Sequence, residues 1–434
     1  MPSQGGQDQE LRSLQEENQR LKRAVEELSI LNDLARAIGA SLNTQEIIQT
    51  IVRRSLRAIN AEQGVITLVE EQSTQSMKTL VRTMVSSSEH EHFHLSQAVL
   101  GWMHINRKPL VLNDPRHDDR FQGVQWVESI HSLLAVPMMV KSEVRGVVTL
   151  YNKRDGKPFS DNDQRLLSII AAQSAQVVEN ARLYEKERDL LKIQEEVRLA
   201  ARIQEELLPK SPPVIPGYEI AGRTIPAQEV GGDSYDFIRI DDHRLAICLG
   251  DVSGKGLPAS LLMANLQATL RGQTIVANSP KTCLERSNRL LFESTSPEKF
   301  ATLFYAILDT KDHRLCYSNA GHEHPFLLST TREPTRLKTG GIPLGMINEF
   351  TFEEESLLLN KGDAIVIYSD GVSEAMTEDE EMFGEKRIAD VINGHRDASP
   401  SQLIDHVVEA VKQFTSGYPQ TDDITVVVIS RNRN

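Results

Sequence analysis

The residues best suited to chemistry are aspartates in the C-terminal half. Asp233 follows two glycines and precedes a strand-like run, 234–240 (SYDFIRI); Asp251 closes a second run, 244–250 (RLAICLG), and Asp241-Asp-His243 between them reads as a turn. Folding the chain about that turn sets Asp233 opposite Asp251 at one end of a hairpin, where Gly231, Gly232 and Gly250 let backbones approach closely. Asp370 ends the run Asp363–Ser369 and is followed by Gly371, and Asp422-Asp423 opens the run Ile424–Ser430. If these two runs are antiparallel neighbours, their carboxylates also meet at one edge. Each aspartate alone is an ordinary turn residue. In register at strand ends they form an oxygen-only cluster, whose like charges repel unless a cation neutralises them. Such a cluster selects hard cations such as Mg²⁺ or Mn²⁺.

The elements that must position these groups belong to several units, because 434 residues exceed a single core. Leu11, Asn18, Val25 and Asn32 recur every seven residues, and Leu14, Leu21, Leu28 and Ala35 form a second seam. This is a coiled-coil pattern over residues 1–30, and asparagine in the seam favours a parallel dimer; one amphipathic helix packed on the next domain is the alternative. Residues 31–182 follow as a mixed α/β unit. Helical periodicity runs through Ile59, then strands at Gly64–Glu70 and Lys78–Ser86, a helix at Ala98–Ile105, and an irregular stretch from Asn113. Strands at Ser132–Val140 and Val144–Asn152 flank a turn at Lys141-Ser-Glu. A long helix, about Asp163 to Leu208, supplies a linker over 183–210. Leu183, Leu190 and Val197 keep a heptad on it, but Glu187, Gln194 and Gln204 weaken the seam, as suits a helix that changes its packing or a plain spacer. Pro209, Pro212, Pro213 and Pro216 end it, and 211–434 form the last unit.

Residues 31–182 resemble a GAF domain in the order of elements, in Ser132-Leu-Leu-Ala-Val-Pro137 with Gly146-Val-Val, and in Phe159-Ser-Asp followed by a helix. The last unit resembles the PPM family of metal-dependent phosphatases, and within it the bacterial SpoIIE type. The motifs are Gly231-Gly-Asp-Ser-Tyr-Asp236, Gly250-Asp-Val-Ser-Gly-Lys-Gly256, Phe300-Ala-Thr-Leu-Phe304, Asn319-Ala-Gly-His322, Gly341-Ile-Pro-Leu-Gly345, Ser369-Asp-Gly371 and Thr421-Asp-Asp-Ile-Thr425, in family order. The resemblances imply an α+β chain: coiled coil, GAF sensor with an antiparallel sheet and helices, helical linker, and a β-sandwich flanked by helices. They also imply two Mn²⁺ or Mg²⁺ ions, with Asp251 bridging them and the Val252 carbonyl contributing. Asp233 would support the first ion, partly through water, Asp370 and Asp422 the second, and Asp423 would stand behind them. Water activated between the ions would then attack phosphorus in line, with no phosphoenzyme. Val252 and Ser253 follow Asp251 where many eukaryotic relatives carry a histidine, so the group that protonates the leaving serine oxygen is not identified. His322 is one candidate, with a structural role in a strand-end loop as the other reading.

The same resemblance implies a phosphoserine or phosphothreonine substrate on a STAS-domain anti-sigma-factor antagonist, within a partner-switching pathway. A homodimer, an unknown signal at the GAF domain and a cytoplasmic location complete the expectation. Ala201-Arg-Ile-Gln-Glu-Glu-Leu-Leu-Pro209 looks like the helix that joins sensors to this catalytic domain in relatives. Rival readings are a catalytically silent dimeric scaffold, or a phosphatase for another target such as a two-component regulator.

The net charge of −13 argues against nucleic acid and against an anionic membrane surface. The apolar run Leu133–Val140 is far short of the ~20 residues that span a bilayer. Cys248, Cys283 and Cys316 are scattered, so neither a disulfide framework nor a zinc site is expected. Gly254-Lys255 lacks the remaining residues of a phosphate-binding loop. His90, His92 and His94 read as a solvated strand edge. Asn152-Lys153, Phe159 and Asp163 match part of a cyclic-nucleotide GAF signature, with Gln164 where that signature has glutamate.

Overall fold

The computed structural model of the chain describes residues 44–69, 80–84, 96–296, 298–330 and 332–433, with helical residues 14, 17 and 18 ahead of them. The rest of the coiled-coil seam over residues 1–30, and His90, His92 and His94, lie outside the described residues. Two compact units divide the chain, Met1–Leu191 and Lys192–Asn434.

In the first unit α1 (Thr44–Ile59) leads directly into β1 (Ala61–Leu68), earlier than the sequence pattern indicates. The cause is Asn60, whose left-handed backbone (φ 56°) ends the helix in one residue. Then come β2 (Leu80–Met84), α2 (Gln97–Asn106), β3 (Leu110–Leu112), β4 (Leu133–Val140), β5 (Glu143–Lys153) and α3 (Asp161–Leu207). The strands form one antiparallel sheet in the order β2-β1-β5-β4-β3. Lys141 and Ser142, both at positive φ, make the two-residue β4–β5 turn, whose twist suits a hairpin. One sheet face buries Ile66 and Leu150 against Ile51 of α1 and Leu167 and Ile170 of α3. The other buries Val65 and Val147 against Met103 of α2, Phe121 and Ile130.

The residues of the partial nucleotide signature hold this unit together. Asn152 Oδ1 accepts from the backbone of His131 and Ser132 at 2.9 and 3.1 Å, and its Nδ2 donates to the Ser129 carbonyl and to Glu62. Lys153 Nζ reaches Asp163 Oδ2 at 2.9 Å. Asp163 also accepts from the Ser160 backbone and hydroxyl, which fastens the start of α3.

The second unit begins with the end of α3 and continues through β6 (Tyr218–Ile225), β7 (Ser234–Arg239), β8 (Arg244–Val252), α4 (Leu257–Val276), α5 (Pro280–Ser294), β9 (Ala301–Asp309), β10 (Arg314–Ala320) and β11 (Phe326–Leu328). Short strands β12 (Thr335–Arg336), β13 (Gly340–Gly341) and β14 (Glu355–Leu358) precede β15 (Ala364–Tyr368), α6 (Asp370–Ser373), α7 (Gly384–Gly394), α8 (Pro400–Thr415) and β16 (Ile424–Arg431). One sheet runs β13-β10-β9-β8-β7 with β14 beside β10; the other runs β12-β11-β15-β16-β6. Alternation of side chains builds three layers of core from these strands. Leu245, Ile247 and Leu249 of β8 meet Ile367, Val427 and Ile429 between the sheets. Cys248 and Tyr305 face outward under Met263 and Leu266 of α4 and Cys283 of α5. Tyr368, Val426 and Val428 face outward under Ile388 of α7 and Leu403 and Val407 of α8. The unit is therefore a two-sheet sandwich with a helical layer on each side. Cys248 and Cys283 are buried packing residues and all three cysteines are free thiols. No helix among the described residues is long and apolar enough to cross a membrane.

Candidate metal centre

The β7–β8 hairpin forms as its turn dictates. Asp241 Oδ1 accepts from the backbone of His243 and Arg244 at 2.9 and 2.8 Å, while Arg244 Nε reaches its other oxygen. These bonds hold the Asp241 carboxyl down to about 2. The register pairs Ser234 with Gly250, which sets Asp233 and Asp251 side by side just beyond. On the other sheet β15 and β16 are antiparallel neighbours, with Tyr368 opposite Val426. Asp370, two residues past β15, and Asp422, two before β16, thus share an edge.

Charge interactions link the two edges. Asp251 is pushed up to about 8, first by burial and then by the negative charges of Asp370, Asp422 and Asp423. Burial and the charge of Asp422 lift Asp370 to about 6. Asp233 is raised well above the usual carboxylate range by burial and by Asp251. Its Oδ2 is buried with no hydrogen-bond partner. A Cβ on Gly232 would stand 3.0 Å from Asp251 Oδ1 and 3.2 Å from the Val252 carbonyl oxygen, so both oxygens face the space that this glycine leaves open.

Asp423 behaves differently. Its Oδ1 accepts from Ala227 N at 2.8 Å and its Oδ2 from Gly232 N and Asp233 N at 2.7 and 3.3 Å. A Cβ on Gly231 would lie 2.1 Å from Asp423 Oδ2, and one on Gly371 would lie 2.1 Å from the Asp423 carbonyl, so neither position admits a side chain. Ser369 adds a bond from its hydroxyl to the Asp423 carbonyl at 2.9 Å and accepts from Thr425 N at 3.0 Å.

The donor set fits hard cations: buried carboxylates with raised affinity for protons, an orphaned carboxylate oxygen and no nearby thiolate. It is not a closed shell. Among the described residues no three acidic, histidine or cysteine side chains stand close enough to hold an ion as they are. One local cation is the chain's own: Lys255 Nζ lies 3.0 Å from Asp422 Oδ2 and donates to the Thr421 carbonyl at 2.6 Å.

His322 is buried and its Nδ1 lies 2.9 Å from the Thr302 hydroxyl. Its backbone N–H donates to Asn319 Oδ1 at 2.7 Å, and Asn319 Nδ2 returns a bond to the His322 carbonyl. Burial lowers the imidazole to about 3, so it is neutral near pH 7 and carries no proton to deliver as an imidazolium. This arrangement favours the structural reading of His322.

Two partners of the site escaped the sequence reading. Lys255 sits in a fragment that looks like a phosphate loop, and Gln204 sits on the weak stripe of the long helix. Gln204 bonds both backbone groups of Gly231, beside Asp233.

Two stretches of the chain match known families. Residues 241–432 match the family model of Stage II sporulation protein E (SpoIIE), and residues 41–179 match that of the GAF domain. Protein IcfG of Synechocystis is 30% identical over 55% of this chain, but the match spans only 42% of that protein. Phosphoserine phosphatase RsbU of Bacillus subtilis is 28% identical over 55% of this chain and 71% of its own length. Among solved structures, the SiaA-PP2C domain of Pseudomonas aeruginosa superposes with a TM-score of 0.50 and 22% identity, covering 56% of this chain and 98% of that domain. That last likeness is one of fold.

Proposed function

We propose that this chain, which carries a SpoIIE-family domain at residues 241–432 and a GAF domain at residues 41–179, is a metal-dependent serine/threonine phosphoprotein phosphatase governed by its GAF unit. The observation that carries the reading is the convergence of Asp233, Asp251, Asp370 and Asp422 at one end of the sandwich, three of them with raised proton affinity. In this reading Asp251, with the Val252 carbonyl contributing, and Asp233, Asp370 and Asp422 would hold two Mn²⁺ or Mg²⁺ ions, Asp233 serving the first and Asp370 and Asp422 the second. When bound, such ions activate a water for in-line attack on phosphorus and neutralise phosphoryl oxygens. The water oxygen would bond phosphorus as it gives up a proton, the bond from phosphorus to the serine oxygen would break, and that oxygen would take up a proton, so that water is consumed and serine and phosphate are released.

The chain's own groups prepare for this. Asp423 and Ser369 hold the backbone on which Asp233 and Asp370 stand. Lys255 holds Asp422 in place and must share it with a cation.

The relative named phosphoserine phosphatase RsbU supports a phosphoserine substrate. We assign the substrate to the STAS-domain class of anti-sigma-factor antagonists. We place residues 1–30 as a dimerising coiled coil, 31–182 as sensor, 183–210 as linker and 211–434 as catalytic domain, in the cytoplasm. The test is hydrolysis of p-nitrophenyl phosphate and of a phosphoserine STAS protein by wild type and Asp251→Asn, with Mn²⁺ or EDTA. Activity should require metal and fall at least about 1,000-fold in the variant. Metal-independent turnover, or none at any metal concentration, would return the chain to the scaffold reading.

A further inference from the structure

The last turns of α3 are joined to the rest of the second unit by few bonds. A cavity of about 730 Å³ lies beside them, lined by Arg198, Arg202, Gln204, Thr224, Glu229 and Gly231 among others, so apolar packing does not seal the helix here. Leu208 packs on the sandwich core just past the helix, and the Leu207 carbonyl accepts from Gln267 Nε2 at 2.7 Å. Among the described residues, the remaining hydrogen-bonded tie is Gln204. Its Nε2 donates to the Gly231 carbonyl at 2.7 Å, and its Oε1 accepts from Gly231 N at 3.0 Å. One side-chain amide thus satisfies both backbone groups of a single buried residue.

That residue opens the loop Gly231-Gly232-Asp233. Gly231 has no side chain to pack, and a Cβ there would collide with Asp423, so hydrogen bonds must hold it. Asp423 fixes the next two backbone N–H groups. Gln204 fixes Gly231 itself, from a helix that begins at Asp161 in the first unit.

We infer that Gln204 is a positioning residue that couples the end of α3 to the metal centre: it fixes the Gly231 backbone and, through it, the Asp233 carboxylate. A shift of the helix by one residue turns a side chain by about 100° and takes its amide out of reach of Gly231. The placement of Asp233 therefore depends on where the helix end lies. The consequence for cation binding rests on the phosphatase reading, whereas the clamp itself does not.

The test uses the full chain with Gln204→Met, which keeps length and helix propensity but no hydrogen bond, and Gln204→Glu, which keeps the acceptor for Gly231 N. Amide exchange of the segment around Gly231 is followed by mass spectrometry, and Mn²⁺ binding by the resonance signal of the free ion. In Gln204→Met, exchange should accelerate about tenfold and the Mn²⁺ midpoint rise about tenfold, as befits two lost hydrogen bonds. Gln204→Glu should recover part of the protection, at the Gly231 N–H alone, a graded rescue that simple packing would not give. Unchanged exchange in Gln204→Met, no recovery in Gln204→Glu, or faster exchange with an unmoved Mn²⁺ midpoint each overturns the inference. Neither measurement needs turnover, so a wild type with no metal-dependent hydrolysis would remove the phosphatase reading and leave the clamp to be judged on exchange alone.

Discussion

Asp163 in the first unit and Asp251 in the second are both aspartates largely removed from water beside a chain turn, and they have opposite characters. Burial alone would raise Asp163, but the Ser160 backbone and hydroxyl and the Lys153 ammonium outweigh it, and the carboxyl sits below its usual value. Asp251 has burial working on it together with three neighbouring carboxylates, and it rises to about 8. The protein supplies Asp163 with its donors and leaves Asp251 short of them. A carboxylate satisfied by its own chain is finished structure, and one crowded among its like is completed by a proton or by a cation from outside. The contrast separates the two sites without reference to any relative.

Asp423 is the strongest challenge to that contrast, because it lies within the acidic cluster yet is satisfied as Asp163 is. It accepts from three backbone N–H groups and is 5% exposed. Asp423→Ala would strand those donors at a cost of about 3 kcal/mol to the second unit, the largest stability effect expected here. Urea unfolding in EDTA reads it directly. A variant as stable as wild type would mean that relief of its repulsion of Asp251 outweighs those three bonds.

The same substitution should act with opposite sign at the two contrasted residues. In EDTA, Asp163→Asn weakens its bonds to Lys153 and Ser160 and should destabilise the first unit by about 2 kcal/mol. Asp251→Asn removes a carboxyl that cannot ionise among its neighbours without cost, and should leave the second unit unchanged or more stable. Both tryptophans, Trp102 and Trp126, belong to the first unit, so their fluorescence reports its unfolding separately from the circular dichroism of the whole chain. Equal destabilisation by both substitutions would end the distinction.

The hairpin that carries Asp233 and Asp251 was legible in the sequence because a short turn fixes register: Asp241 sets the bend, and the pairing of Ser234 with Gly250 follows from counting outward. The meeting of Asp370 with Asp422 was legible only as a condition, since nothing local says that strands 56 residues apart in the chain are neighbours; β15 and β16 meet it. Lys255 and Gln204 were not legible. The bond from Gln204 to Gly231 spans 27 residues across a proline-rich break, and heptad periodicity records only which face of a helix is apolar. The partial nucleotide signature has the opposite lesson: Asn152, Lys153 and Asp163 are explained by bonds within their own unit. Element ends moved where a single residue decides them, as Asn60 does for β1.

The finest test of the contrast is the slope of stability against pH without metal. Asp251 is raised from 3.8 to about 8 on folding, so across that interval the folded second unit holds protons that the unfolded chain releases. Its contribution favours folding at low pH and is lost as pH rises toward 8, by at most about 1.4 kcal/mol per pH unit. Asp370, raised to about 6, acts in the same sense over a narrower interval. Asp163 is lowered, so its stabilisation is present above the ordinary aspartate range and disappears only as pH falls through and below that range. Acidifying from pH 8 to 5 in EDTA should therefore raise the second unit's transition and leave the first unit's tryptophan-detected transition in place with respect to Asp163. Asp251→Asn should flatten the second unit's slope, and saturating Mn²⁺ should reverse it, because cations compete with protons for the same oxygens. A slope that survives Asp251→Asn unchanged would mean that other groups set it, and that the crowding of these carboxylates is not what distinguishes the second unit from the first.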